Sequence, residues 1–181
     1  MWHDARSLRS LRSKRLEGSE ALRAHLGADI EVGRHCPSCG STSHGRPWVR
    51  LADGTSPHVS LSRCGEHLVT VIADDPVGID VESTAAVDAR WDPALVLHPD
   101  EVPHDLKEMR ELAHDLKEMR QRGATWCRKE AILKALGTGL ATPMSEIRVA
   151  DWQVVDIEAP EGLAAAVATI PQTGRGGSST S

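Results

Sequence analysis

The sequence predicts an α+β fold, on two observations. Residues at helical spacing fill two stretches, 6–26 and 100–137. Short runs rich in Val, Ile and Ala, bounded by turn residues, lie between and after them. With 181 residues the chain can build one good-sized core or two small ones packed together.

The first helical stretch places Leu8, Leu11, Leu22 and Leu26 near one face, with Arg6, Arg9, Arg12, Lys14 and Arg15 among the first of them. Gly33 to Pro57 is dense in Cys, Pro, Gly and Ser and reads as loop and turns. Strands are expected at His58–Leu61, Leu68–Ala73 and Val77–Glu82, with turns near Gly65 and at Asp74-Asp75-Pro76. Helical patterning returns from Asp100 to Arg122, where HDLKEMR occurs twice, at 104–110 and 114–120. A period of ten turns the second copy by roughly 80° around a helix, so the copies share no face and read as a local duplication. The strongest helix covers 125–137, with Leu133, Leu136 and Leu140 on its buried stripe and Gly137 and Gly139 closing it. Strands at Glu146–Val149, Gln153–Ile157 and Leu163–Ile170 follow, and the tail from 171 to 181 reads as disordered.

Five Trp with no Phe and no Tyr mean that aliphatic side chains must fill the core. A net charge of -5 argues against a general nucleic-acid binder, which needs a positive field. No apolar run approaches the roughly 20 residues that span a bilayer. The basic start, MWHDARSLRSLRSKRLEG, has no apolar core of a signal peptide. With four scattered cysteines the expectation is a cytoplasmic protein with no membrane partner.

Two groups of residues carry chemistry. In Val77-Gly78-Ile79-Asp80-Val81-Glu82, strand alternation puts Asp80 and Glu82 on one face and the three β-branched residues on the other. Neighbouring carboxylates repel unless solvated or bridged by a cation, and Mg2+ suits such a pair. In the later helix Glu130 and Lys134 are i,i+4 neighbours. Spacing alone reads them as a surface ion pair; beside a phosphate they become a base and a cation.

GIDVE at 78–82 followed by W-x-x-K-E-A-x-x-K-A-x-G-x-G-L at 126–140 resembles the paired signature of the 4'-phosphopantetheinyl transferase superfamily. Gly45-Arg46-Pro47 and the turn from Val59 to Glu66 are similar to two further motifs of that family, and Trp152 and the strand at Ala164–Thr169 fit as well. The resemblance is closest to the two-half, surfactin-synthetase-activating type. It implies two pseudo-symmetric halves, each a small antiparallel sheet packed on a helix, at 1–76 and 77–170, with the active site between them in a monomer. It implies transfer of phosphopantetheine from coenzyme A to an acyl or peptidyl carrier protein of fatty-acid, polyketide or nonribosomal peptide synthesis. The roles it implies are Mg2+ ligation by Asp80, Glu82 and Glu130, general base for Glu130, and coenzyme A phosphate contact for Lys134. Arg46, Ser62 and Arg63 would hold the 3'-phosphate, with Arg15 adding to that pocket. Departures from the pattern are Arg63 where a histidine is usual and Cys127 where Ser or Thr is common.

His35-Cys36-Pro37-Ser38-Cys39-Gly40 with His44 resembles half a zinc knuckle. A fourth ligand would have to be His35 or Cys64, and the segment is read as a loop without zinc. Two rivals remain: an enzyme serving only a fatty-acid carrier, and a non-catalytic coenzyme A-binding homologue or zinc-stabilised adaptor.

Overall fold

Between His58 and Ser83 three apolar strands follow one another: β4 (His58–Cys64), β5 (His67–Ala73) and β6 (Val77–Ser83). Their placement organises the computed structural model, which describes residues 5–12, 17–102 and 116–172. The other strands are β1 (Ala5–Arg12), β2 (Ile30–His35), β3 (Arg46–Leu51), β7 (Gln153–Asp156) and β8 (Leu163–Thr169). The helices are α1 (Gly18–Leu26), α2 (Thr84–Asp88), α3 (Pro93–Val96) and α4 (Leu116–Leu136).

The strands form antiparallel sheets in the orders β1-β5-β4 and β6-β8-β7, with β2-β3 as a separate hairpin. Alternation gives each sheet two usable faces. Val69, Val71 and Ala73 of β5 meet Val77, Ile79 and Val81 of β6 and Ala165 and Val167 of β8, so the two sheets pack face to face. On the far side of the first sheet, Val59 and Ile72 bury against Leu22 of α1 and Val49 of β3. On the far side of the second, Ala166 and Ala168 bury against Cys127, Ala131, Ile132 and Ala135 of α4. The expected α+β fold, with small antiparallel sheets each packed on a helix, is therefore the observed one.

The helix α4 sits close because the sheet beneath it has almost no side chains. Gly78 faces it directly: a Cβ there would lie 2.0 Å from the Ala131 carbonyl oxygen and 2.6 Å from the Ala135 nitrogen. Arg122 braces the start of the same helix, donating to Asp88 of α2 at 2.7 Å and to Glu118 at 2.5 Å while lying 5.8 Å from the Trp91 ring centroid.

Several expectations are corrected. The helix expected over 6–26 is a strand, β1, followed by a helix that begins only at Gly18, with Glu17 N–H donating to the Glu20 carboxylate at 2.8 Å. The apolar strand β5 needs a second ladder partner, and pairing Leu8 with Val71 and Leu11 with Leu68 supplies it. That tertiary gain overrides the weak helical spacing. The Cys- and Gly-rich stretch taken as loop contains the hairpin β2-β3, paired in register from Ile30↔Leu51 to His35↔Arg46. No strand forms at Glu146–Val149; two 3-10 turns, Met144–Glu146 and Val149–Asp151, stand there instead. Their cause is a buried cation, described below. The first HDLKEMR copy, Arg15, the Leu140 side chain and the tail from 173 lie outside the described residues. No helix among the described residues is long and apolar enough to cross a membrane.

Gly78→Ala is expected to destabilise the protein by about 1–3 kcal/mol, because the methyl meets helix backbone and forces α4 outward. Urea unfolding measures it; an unchanged midpoint would mean that α4 is not seated on β6 in solution.

Candidate functional site

The carboxylates lie where β4, β6 and α4 come together. Asp80 is 6% exposed despite its charge, so it must be hydrogen-bonded to persist. Lys134 Nζ donates to Asp80 Oδ1 at 2.6 Å, to the Ile79 carbonyl at 3.1 Å and to Ser62 Oγ at 3.2 Å. The Ser62 hydroxyl in turn donates to Asp80 Oδ1 at 2.8 Å. Its neighbour Ser60 accepts from the Ile79 N–H at 3.2 Å, pinning β4 across β6.

Glu82, two residues along the same face, accepts from the Ser83 N–H at 2.8 Å and from the Cys64 thiol at 3.5 Å. Burial, and then this bond to Glu82, push the Cys64 thiol above its usual range. Glu130 is half-buried on α4. Burial pushes its carboxyl above the usual range, the charge of Asp80 adds to that, Lys134 opposes it and Glu82 adds again. Cys127, one turn before Ala131, donates to the Ala164 carbonyl at 3.2 Å. Burial and then Asp80 push its thiol far up, so it is a packed donor and not a nucleophile.

Three carboxylates face one lysine and, at Glu82, the Arg90 guanidinium 3.9 Å away, which leaves the site with one negative charge in excess when all are ionised. The donors are all hard oxygens, which fits a Mg2+ ion rather than a soft metal. Asp80, Glu82 and Glu130 do not bring ligand oxygens within 4.8 Å of one another, however; among the described residues only Cys36, Cys39 and His44 form a three-ligand group that tight. Lys134 Nζ stands against Asp80 where a cation would bind, and a metal would have to take its place there.

Beside the carboxylates opens a cavity of about 600 Å3, lined among others by Arg34, Arg46, Ser60, Leu133, Lys134 and Gly137. Its volume suits a small-molecule ligand. Arg46, at the start of β3, is turned inward against Gly137; a Cβ on Gly137 would lie 2.9 Å from Nη1. Its Nη2 is buried with no hydrogen-bond partner among the described residues. Burial lowers the Arg46 pKa, but a guanidinium stays charged, so a cation with one occluded, unpartnered donor lines the cavity.

Ser62 is therefore committed to Asp80 and Lys134, while Arg46 faces the cavity. Arg63, on the other face of β4, is exposed and is not among the residues lining that cavity. Arg15 lies outside the described residues.

Sequence reasoning missed Lys129. Its side chain is 0% exposed, pairs with Glu101 at 2.6 Å, and donates to the carbonyls of Ile147 at 2.5 Å and Met144 at 3.2 Å. Those two carbonyls serve the ammonium instead of a β-ladder, which is why 3-10 turns replace the expected strand. Glu101 completes the lock by accepting from the Val149 N–H at 2.7 Å and the His98 N–H at 3.0 Å. The available signal was spacing: Ile132 and Leu133 lie three and four residues on, so Lys129 belongs to the buried stripe.

A family model described as the 4'-phosphopantetheinyl transferase superfamily matches residues 76–168, a span that contains Asp80, Glu82, Glu130 and Lys134. No curated protein matches the chain.

Because Glu130 has a raised folded pKa, the native state holds its proton more tightly than the unfolded chain. Stability from that proton is complete below the unfolded value near 4.5 and is lost as pH rises through the folded pKa. Glu130→Gln should therefore stabilise the Mg2+-free protein at neutral pH, with the gain shrinking as pH falls through the raised folded pKa and gone once pH is below 4.5. Denaturant midpoints across pH test this; a destabilised variant at neutral pH would make Glu130 a structural partner of Lys134.

Proposed function

The chain belongs to the 4'-phosphopantetheinyl transferase superfamily, and on that premise we propose that it transfers 4'-phosphopantetheine from coenzyme A to a serine of an acyl or peptidyl carrier protein. The product set is the holo-carrier and 3',5'-ADP. Phosphopantetheinyl transfer using coenzyme A is the reaction of the family; the serine acceptor, the metal and the residue roles are our reading. The observation that carries it is Lys134, which holds Asp80 and lines a cavity that Arg46 also lines, with Glu130 one helical turn before it on α4.

In this reading the serine oxygen forms a bond to the phosphorus that carries pantetheine, and the bond from that phosphorus to the departing 3',5'-ADP oxygen breaks. Glu130 takes the serine proton. Lys134 Nζ, released from Asp80, supplies positive charge to the departing phosphate. Asp80, Glu82 and Glu130 would hold Mg2+, which when bound neutralises the diphosphate and favours in-line attack. Arg46 is proposed to grip the 3'-phosphate as a planar fork. Ser62, Arg63 and Arg15 are proposed, on the resemblance, to complete the phosphate site. We further propose the two-half organisation, divided at Pro76, with a monomer as the active unit.

Incubating an apo-carrier with the protein, coenzyme A and Mg2+ should add the phosphopantetheine mass, read by mass spectrometry. Fatty-acid, polyketide and peptide carriers tested side by side rank the substrates. Glu130→Gln should lower turnover by at least about 100-fold, and Asp80→Ala likewise, with coenzyme A still bound by the Glu130 variant. Desalted protein should be inactive until Mg2+ is returned. No mass gain on any carrier, with coenzyme A bound normally, would favour a non-catalytic coenzyme A-binding homologue.

Arg46→Ala should weaken coenzyme A by about 1.5–3 kcal/mol, the loss of a hydrogen bond to a charged group. Dephospho-coenzyme A should be little affected. Calorimetry with both ligands decides it: an equal loss for the two would remove Arg46 from the 3'-phosphate.

A further inference from the structure

The connection between β2 and β3 folds back on itself with more constraint than a plain loop needs. Cys36 N–H donates to the Ser41 carbonyl at 2.9 Å, and Gly40 N–H donates to the Cys36 carbonyl at 2.8 Å. Gly40, at φ 72°, reverses the chain after Cys39. Gly45, at φ 98°, closes the loop: a Cβ there would lie 2.3 Å from the His35 carbonyl oxygen. Arg34 Nη1 donates to the Gly45 carbonyl at 2.9 Å and fixes the same corner.

These constraints bring one ligand atom each of Cys36, Cys39 and His44 within 4.8 Å of one another. Cys39 Sγ lies 3.3 Å from His44 Nε2. A tetrahedral zinc ion holds a thiolate sulfur and an imidazole nitrogen about 3.5 Å apart. Both cysteines are free thiols, and thiolate sulfur with imidazole nitrogen is a donor set that zinc takes.

We propose that Cys36, Cys39 and His44 hold one zinc ion that ties the β2–β3 connection, with water as its fourth ligand. Cys64, one residue considered for a fourth position, instead donates its thiol to Glu82. The segment taken from sequence as a loop without zinc thus becomes a metal-tied turn. Its purpose is positional: Cys36, His44 and Gly45 line the same cavity as Arg46, the next residue along the chain. A rigid turn therefore aims Arg46 inward. The soft Cys2His set and the hard carboxylate set select different metals, so the two sites do not compete.

The full chain, purified with zinc present and then desalted, should carry close to one zinc per chain by elemental mass spectrometry. Cys39→Ser and His44→Ala should each lower that content at least tenfold. Cobalt added to metal-stripped native chain should give the intense near-ultraviolet absorption of thiolate-to-cobalt charge transfer, which zinc then bleaches. This arm serves if a variant fails to fold. Any of three results overturns the proposal: no zinc and no charge-transfer band, zinc retained in both variants, or intact mass showing Cys36 and Cys39 oxidised to a disulfide in freshly purified protein. None of these readouts depends on transferase activity.

Discussion

The close seating of α4 on the second sheet is the constraint on which the site depends. A helix at ordinary distance from a sheet would leave a layer of side chains between Glu130 and Asp80. Here Gly78, Ala166 and Ala168 remove that layer, and the helix backbone lies directly over the strand. Lys134 then reaches Asp80 and the Ile79 carbonyl of β6. The face of β6 that seats the helix by being small at Gly78 also carries Asp80, so packing and the geometry of the site meet on one strand.

Electrostatics then sets the character of the site. Lys134 and Ser62 both donate to the buried Asp80 carboxylate, while burial, and then the charge of Asp80, push the Glu130 carboxyl above its usual range. Arg46, which also lines the cavity, has a buried donor with no acceptor among the described residues, and a donor left unmade is costly to bury.

The second half of the chain was largely legible in the sequence because its signals are local. Alternation in Val77–Glu82 gave the strand and the face of its carboxylates, and stripe spacing gave the helix that carries Glu130 and Lys134. What was not legible depends on partners distant in the chain. Arg6 to Arg12 is a strand because β5, some sixty residues later, needs a neighbour. The hairpin β2-β3 was hidden by its connection, whose Cys and Gly content masks the regular pairing on either side. Lys129 reads as surface by residue type and is buried only because Glu101 and two carbonyls converge on it. The spacing of Cys36, Cys39 and His44 reads as half a zinc knuckle, but the two glycine corners that bring the three together are not legible in it.

The lock between Lys129 and Glu101 has a consequence for the length of the chain. It fastens the chain just before Val102 to the middle of α4, so the two are held against each other whatever number of residues the sequence places between them. The entropy of joining two fixed points rises by only about 0.6 kcal/mol for each doubling of the number of residues between them. A change of length in that interval, where the doubled HDLKEMR begins, therefore leaves the lock in place, and with it Glu130, adjacent to the pinned lysine.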